Sequence, residues 1–340
     1  MRSIIVTLLS FASFGLLAQN WAQIGPYGGY FKDFIIHPTT GAIYTGSDDG
    51  GGVWKSEDSG ISWTILTADF PNMTGWKLHI NELNDDAIYA CDVYSRYGLL
   101  ISTDAGDTWT ISNSGLDSDY DKMVSGIVSI DLDSLMISTG EAAASTPPRP
   151  GNGMFKSVNG GDSWTEAGLQ GITVPCVGKN AFNTIFAGTE GSGLYYTNDF
   201  GDNWLIHPGI PSSAKIHEID VWDNVVAVAA VEGIFLSSDY GITFTNTGLV
   251  GDINFDLTIH SISPEVEIFN STFSGLQYYS TGTSSWTPIS HAELDGQLII
   301  GIESNGSEIY AGRFSNSLIL KSIDNGSNWT TLDESPKATE

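Results

Sequence analysis

Positive charge is scarce in this sequence of 340 residues. It contains 13 lysines and arginines against 40 aspartates and glutamates, and its formal net charge at pH 7 is −27. Binding to nucleic acid needs lysine and arginine clustered on one surface, so the composition argues against a nucleic-acid partner. A cationic partner, a neutral glycan or bound cations fit this composition better. An acidic surface also keeps a protein soluble, and we expect a monomer.

Cysteine is almost absent as well. Cys91 and Cys176 are the two in the chain, too few for a disulfide framework and without the spacing of metal ligands. Both lie in strand-like runs, AIYACDV and ITVPCVG, so we expect them to be buried as small apolar side chains. The sequence predicts no cofactor and no resident metal.

No hydrophobic run is long enough to cross a bilayer. The longest, from Ile4 to Ala18, follows Arg2, is too short to span, and ends in small residues. We interpret residues 1–18 as a secretory signal peptide and predict no membrane insertion of residues 19–340. No cysteine follows the run, so a lipid anchor is not expected. The protein should be secreted, with the periplasm and the cell surface as the other destinations of an exported chain.

Glycine and aromatic residues are abundant, which favours an all-β protein. A motif, Ser-x-Asp-x-Gly-x-x-Trp, recurs at intervals of about 40 to 55 residues, the length of a propeller blade. Its copies are SEDSGISW (56–63), STDAGDTW (102–109), SVNGGDSW (157–164), TNDFGDNW (197–204), SSDYGITF (237–244), SIDNGSNW (322–329) and a degenerate YYSTGTSSW (278–286).

Short apolar strands flank every copy: two or three precede it and one begins at its Trp. Each unit therefore predicts four strands, with the motif as the turn between the third and the fourth. The seven units predict a single seven-bladed β-propeller over residues 19–340. The segment NWAQIG (20–25) looks like an eighth copy of the fourth strand, and we expect it to pair in the last blade and close the ring.

The repeated motif resembles the Asp-box, or BNR repeat, of sialidases, sortilins, family 74 xyloglucanases and photosystem II assembly factors. The resemblance covers the whole predicted mature chain. In such a turn the Asp58 carboxylate accepts backbone hydrogen bonds, Gly60 takes a positive φ and Trp63 packs below the next strand. Seven copies of one turn are what a propeller requires, so we interpret the boxes as scaffold rather than as sites.

Ligand sites in propellers gather on the face opposite the boxes, where the loops between second and third strands surround the channel. Five of the seven loops carry a carboxylate at nearly the same point, and the arginines of residues 19–340 all fall in these loops. The candidate ligand-binding residues there are Asp48, Asp49, Asp92, Arg96, Glu141, Arg149, Glu190, Glu232 and Arg313. The longest of these loops is GEAAASTPPRPGNG (140–153).

The crossings between blades add aromatic candidates. Four of them could stack on sugar rings: Tyr27, Tyr30, Trp76 and Tyr120. The alternating acids Asp117, Asp119 and Asp121 offer calcium ligands, but they lack the glycine and the distal glutamate of an EF-hand loop. We therefore expect no calcium site there.

The related families imply different activities. Sialidases need three arginines around the substrate and a Phe-Arg-Ile-Pro segment that is absent here. The first blade resembles that of family 74 xyloglucanases, whose general base matches Asp48, with Ser47 in place of a Thr. Those enzymes take the general acid from a second propeller, and inverting hydrolysis needs both carboxylates. The sequence therefore favours a non-catalytic propeller that binds a glycan or protein, with a family 74-like glycoside hydrolase as the alternative.

Overall fold

Seven sheets of four antiparallel strands form the described part of the protein in a computed structural model. The described residues are 30–48, 50–94, 97–141, 149–250, 254–314 and 318–332. Within each sheet the strands follow chain order, so every blade is a simple meander. The predicted all-β, seven-bladed architecture is confirmed.

The first four blades hold strands β1 to β16. Blade 1 has β1 (Phe31–Ile36), β2 (Ile43–Ser47), β3 (Gly52–Ser56) and β4 (Thr64–Ile65). Blade 2 has β5 (Lys77–Asn81), β6 (Asn84–Cys91), β7 (Leu99–Ser102) and β8 (Thr110–Ile111). Blade 3 has β9 (Val124–Ser129), β10 (Ser134–Thr139), β11 (Met154–Val158) and β12 (Thr165–Glu166). Blade 4 has β13 (Cys176–Lys179), β14 (Ile185–Gly188), β15 (Leu194–Thr197) and β16 (Leu205–Ile206).

The remaining three blades hold β17 to β28. Blade 5 has β17 (Ile216–Trp222), β18 (Val225–Ala230), β19 (Gly233–Ser237) and β20 (Thr245–Asn246). Blade 6 has β21 (Asn254–Ser261), β22 (Glu267–Thr272), β23 (Gly275–Ser280) and β24 (Ser285–Pro288). Blade 7 has β25 (Ile299–Ser304), β26 (Ile309–Arg313), β27 (Leu318–Ser322) and β28 (Thr330–Thr331).

The first strand of each blade lies at the axis, and these inner strands contact one another in order around the ring. The ring closes where β1 meets β25. An apolar cluster spans this closure, with Phe31, Phe34 and Trp63 of blade 1 packed against Tyr310 and Ile319 of blade 7. Blade 7 already has four strands, and the predicted pairing of residues 20–25 lies outside the described residues, as does the predicted signal peptide.

The Asp-box turns have the predicted structure. Asp58 accepts hydrogen bonds from the Ser56 hydroxyl (2.8 Å), the Ser62 amide (2.8 Å) and the Ser62 hydroxyl (2.6 Å). Gly60 has φ +93°, and a side chain there would collide with Leu332 of blade 7. The same bonds recur around Asp104, Asp199, Asp239 and Asp324.

The irregular boxes keep the turn by other means. In the third box Asn159 accepts bonds from the Ser157 hydroxyl and the Ser163 amide, as an aspartate would. In the sixth box the Ser280 hydroxyl bonds to the Glu265 carboxylate, which comes from the preceding turn. The turn therefore tolerates the loss of its aspartate in the third and the sixth box, because other side chains supply the hydrogen bonds.

The box tryptophans are buried at four of the five expected positions: Trp63, Trp109, Trp164 and Trp329. Trp204 is half-buried. Its indole N–H donates to the Ala167 carbonyl of the preceding blade at 2.6 Å, whereas the Trp63 N–H donates to Gly60 within its own box. The tryptophans are therefore not fully equivalent, because some of them bridge two blades.

Carboxylates on three inner strands tie neighbouring blades together. Asp33 of blade 1 accepts the Leu78 amide of blade 2 (2.6 Å). Asp220 of blade 5 accepts the Ile259 amide of blade 6 (2.7 Å). Asp256 of blade 6 accepts the Ile302 amide of blade 7 (2.9 Å). Burial raises the pKa of all three carboxyls, that of Asp256 to about 8.

Two further expectations concern cysteine and membranes. Cys91 and Cys176 are free and buried, as predicted, and burial raises the pKa of both thiols. Among the residues described, no helix has the length and apolarity needed to cross a bilayer.

The box interpretation predicts that Asp58→Ala lowers the free energy of unfolding by about 1 to 2 kcal/mol, because turn donors lose their acceptor. Asp58→Asn should cost clearly less, since Asn159 holds the same turn in the third box. Urea denaturation of the unsubstituted protein and of the two variants measures these free energies of unfolding. Equal losses in both variants, or loss of ligand binding with unchanged stability, would contradict the scaffold role.

The buried Asp256 predicts a pH dependence of stability. The folded protein keeps the Asp256 proton up to about pH 8, whereas the unfolded chain releases it near pH 4. The contribution of Asp256 to the free energy of unfolding is complete below about pH 4 and is lost as the pH rises to about 8. Asp256→Asn mimics the protonated side chain, so it should flatten the fall of the unfolding free energy across this window.

The control for this experiment is Asp199→Asn. Hydrogen bonds from the Asn203 side chain, the Thr197 hydroxyl and the Asn203 amide lower the pKa of Asp199 to about 2. Its contribution is present above the unfolded pKa and is lost only as the pH falls toward about 2. The slope between about pH 4 and 8 should therefore be unchanged in this variant. An unchanged slope in Asp256→Asn would disprove the account.

Candidate functional site at the channel mouth

A β-bulge interrupts the inner strand of five blades at the same level. The residue that each bulge leaves unpaired with the second strand is Lys32 in blade 1, Ser125 in blade 3, His217 in blade 5, Phe255 in blade 6 and Ile300 in blade 7. Bulges redirect side chains out of the regular alternation of a strand. All five of these residues line one pocket at the end of the channel that carries the β2–β3-type loops.

The two blades without this bulge supply the residue before their inner strand, Trp76 in blade 2 and Pro175 in blade 4. Every blade thus contributes one side chain to a ring, and we call these seven residues the mouth ring. The mouth ring is Lys32, Trp76, Ser125, Pro175, His217, Phe255 and Ile300. The pocket that it encircles has a volume of about 290 Å³.

One side of the pocket is polar. The Tyr94 hydroxyl donates to Glu141 Oε1 at 3.0 Å, and Arg149 Nη1 lies 3.0 Å from Glu141 Oε2. The Arg149 guanidinium stacks 3.5 Å above the Tyr94 ring. Burial, followed by the charges of Asp48 and Glu141, raises the pKa of Tyr94, so its hydroxyl keeps its proton and acts as a hydrogen-bond donor. Asp48, Tyr94 and Glu141 all line the pocket.

The opposite side is aromatic. The Phe255 and Phe273 rings meet edge to face with centroids 4.8 Å apart, and Tyr30 stacks on Phe314 at 3.7 Å. Phe273 and Phe314 are 48% and 37% exposed, although both are large and apolar. Leu298 completes this wall. The pocket therefore offers flat apolar faces beside hydrogen-bonding groups, which is typical of ligand sites.

Charged side chains form the floor. Lys77 Nζ bridges Asp33 Oδ1 (3.1 Å) and Glu218 Oε1 (3.4 Å). Burial opposes its charged form, but the surrounding acidic groups, Asp33 and Glu218 foremost, together outweigh that effect and raise the pKa of Lys77. His217 Nδ1 lies 3.0 Å from the Asn254 carbonyl, an acceptor, so this nitrogen carries the proton. Burial lowers the pKa of His217, which is therefore neutral at pH 7.

The structure brings three of the predicted site residues into the pocket: Asp48, Trp76 and Glu141. Two others lie at its edge, since Arg149 binds Glu141 and Tyr30 stacks on Phe314. Asp49, Arg96 and Tyr27 lie outside the described residues, as do residues 142–148, which are half of the 140–153 loop. Tyr120 is exposed and does not line the pocket.

The remaining predicted residues make contacts within the protein. Asp92 is fully buried and accepts the Tyr94 amide. Glu190 pairs with Lys215 Nζ at 2.8 Å, and Glu232 accepts the Lys215 amide. Arg313 pairs with Glu293 at 2.7 Å. The predicted acidic ring is thus partly neutralised by basic partners.

The predicted residues omit most of the mouth ring. Lys32, His217 and Phe255 lie within strands rather than loops, and the loop positions of Tyr94 and Phe314 have no charge to mark them. One sequence feature could have identified Lys32, His217 and Phe255 as site candidates. It is a charged or aromatic residue at the second position of an inner strand, as in FKDF, IHEI and NFDL.

Of the aspartates in the 117–121 segment, Asp121 stabilises local structure. Asp121 accepts the Ser118 amide and the Asn152 side-chain amide. Across the described ranges, three potential metal ligands converge at His37, Asp85 and Asp86 on the box face. His37 Nδ1 accepts the amides of Thr39 and Thr40 there, so its lone pair is already used.

Comparisons with known proteins include two curated relatives. No protein-family model matches the chain. A xyloglucanase of Hypocrea jecorina (strain QM6a) is 27% identical over 62% of this chain and 25% of the relative. A xyloglucanase of Paenibacillus sp is 23% identical over 93% of this chain and 32% of the relative. The chain therefore spans about a quarter to a third of the length of these relatives.

Solved structures share the fold. The GH74 enzyme of Niastella koreensis superposes with a TM-score of 0.67 at 18% identity, over 91% of this chain and 54% of that one. YCF48 of Cyanidioschyzon merolae gives a TM-score of 0.64 at 13% identity, over 87% of this chain and 96% of that one. YCF48 bound to the D1 peptide gives 0.65 at 12% identity. The chain is a seven-bladed β-propeller whose structural neighbours include a family 74 enzyme and the photosystem II assembly factor YCF48.

Proposed function

We propose that this protein is an exported, non-catalytic propeller that binds a glycan or a protein segment at the channel mouth. The observation that carries the proposal is the mouth ring, because one side chain from every blade lines a single pocket. Residues 1–18 would act as the export signal. The pocket opens on the face carrying the β2–β3-type loops, where the sequence predicted a ligand site.

Two features support ligand binding over a purely structural role. Phe273 and Phe314 remain exposed at the pocket although burial would stabilise them. Exposed aromatic faces suit sugar rings and peptide side chains. The relatives named xyloglucanase and the YCF48 complex with the D1 peptide are precedents for a glycan and a peptide as ligands of related propellers.

This proposal predicts that Phe273→Ala weakens binding of the ligand about tenfold, through loss of an apolar stacking surface. The ligand is first identified on a glycan array and a peptide array, and affinity is then measured by calorimetry. Phe182→Ala is the matched control, because Phe182 is 71% exposed but lies in the β13–β14 turn on the box face. Equal effects of the two substitutions, or none, would argue against a site at the mouth.

A glycoside hydrolase is the second candidate. Asp48 shares the pocket with Glu141 and Glu218, so a pair of carboxylates is available, and the curated relatives are xyloglucanases. Hydrolysis also needs a carboxyl that donates a proton to the leaving group. Arg149 pairs with Glu141 and Lys77 pairs with Glu218, so both are ion-pair partners rather than free proton donors. This pairing favours the binding role.

The hydrolase alternative predicts turnover of xyloglucan that Asp48→Asn abolishes, because a base at this position would activate the attacking water. Release of reducing ends measures the activity, and a melting curve verifies that the variant is folded. Glu190→Gln is the control, since its ion pair with Lys215 lies outside the pocket lining. If the protein only binds its ligand, we expect no turnover by the unsubstituted protein or by either variant. Turnover lost only in Asp48→Asn would establish the enzyme instead.

A further inference from the structure

We propose that the channel-mouth pocket binds a small carboxylate with an aromatic body, and that Lys32 contacts its carboxylate. This inference concerns the same pocket but goes beyond the proposed function, because such a ligand is neither a glycan nor a protein segment.

Basic side chains in this acidic protein nearly all have an acidic partner. Of the ten described lysines and arginines, eight lie within 4.0 Å of a carboxylate oxygen. Lys32 and Lys122 are the exceptions within the described ranges. Lys32 Nζ lies 3.4 Å from the carbonyl oxygens of Phe255 and Ile300, and 5.2 Å from the centre of the Trp76 ring. These long contacts leave its charge without a counter-ion.

The acids below Lys32 do not supply that counter-ion. Asp33 and Glu218 share Lys77. Asp256 is within electrostatic range of Lys32, but its pKa of about 8 keeps it largely protonated at neutral pH. His217 adds no charge, because burial lowers its pKa. Lys32 is therefore the charged member of the mouth ring, and Asp33 and Glu218 pair with Lys77 rather than with it.

A cationic ligand would find its preferred contacts occupied. Tyr94 carries the Arg149 guanidinium on its face, and Trp76 carries the Lys32 ammonium. These rings bind cations better than phenylalanine does. Among the pocket carboxylates, Glu141 is bound to Arg149 and Glu218 to Lys77, while Asp48 lies on the Tyr94 side. The contacts of Lys32 therefore favour an anionic group at that point of the pocket, although the overall charge is −27.

The walls define the rest of the ligand. Phe255, Phe273 and Phe314 form the apolar side, with Ile300 and Leu298 between them. A volume of about 290 Å³ lies at the lower limit for ligand pockets, which suits one aromatic ring on a short chain. An aryl alkanoate satisfies both requirements, because its ring meets the aromatic side while its carboxylate reaches Lys32.

The test uses three probes with the same body: phenylpropionate, phenylpropanol and phenylpropylamine. Calorimetry should show the carboxylate binding more tightly than the alcohol, and the amine most weakly. Lys32→Met should lower affinity for the carboxylate about tenfold or more while changing affinity for the alcohol less than about twofold, because only the carboxylate uses the charge. Lys32→Arg should retain the preference. Lys122→Met is the matched control and should change nothing.

Each other result has a defined meaning. Equal losses for the carboxylate and the alcohol in Lys32→Met would make Lys32 a packing residue and overturn the inference. Tighter binding of the amine would overturn it as well. If no aryl probe binds but a glycan or peptide binds in a Phe273-dependent way, the inference is wrong and the proposed function stands. If neither the probes nor the arrays detect a ligand, both fail.

Discussion

Backbone amides of one blade donate to carboxylates of its neighbour, and the closed ring depends on these hydrogen bonds. A radial arrangement leaves the inner strands without partners on their axial side, so side chains must bridge from blade to blade. Asp33, Asp220 and Asp256 do this at three of the seven junctions. An unpaired buried carboxylate would be strongly destabilising, but here each accepts an amide hydrogen bond.

Close approach at the axis also restricts residue size. At the junction of β1 and β25, a side-chain carbon added at Gly301 would lie 2.4 Å from the Lys32 carbonyl oxygen. At Gly312 it would lie 2.2 Å from the Phe31 carbonyl oxygen. Larger residues would force the first and last blades apart. Each inner-strand bulge leaves one residue out of the pairing with the second strand, and its side chain lines the channel mouth.

The pocket is a consequence of this packing. Because the bulges occur at one level, the side chains they release converge at one end of the channel. Scaffold and site therefore divide between the two faces: the box turns hold the blades at one end, and the mouth ring gathers functional groups at the other. A change in the bulge at Lys32 would alter both ring closure and the lining of the pocket.

The sequence predicted the blades well because the Asp-box is local. Ser56, Asp58 and Gly60 are close in the chain, and their turn forms without distant partners. The lining of the pocket was predicted in part, through Asp48, Trp76 and Glu141, because loops can be assigned once strands are counted. Lys32 was missed because a bulge is defined by the register with the neighbouring strand. Two ion pairs were also missed, that of Glu190 with Lys215 and that of Arg313 with Glu293. They were missed because Lys215 and Glu293 belong to segments between blades.

The outer strands have a further consequence for behaviour at high concentration. A propeller presents the outer edge of every blade to solvent, and free edges can recruit strands from other molecules and cause aggregation. Here six of the seven outer strands are two residues long. The longer one, β24, ends in Pro288, which has no amide hydrogen to donate. Among the described residues, each outer edge is therefore too short or too blocked to template a growing sheet, which disfavours aggregation through strand pairing.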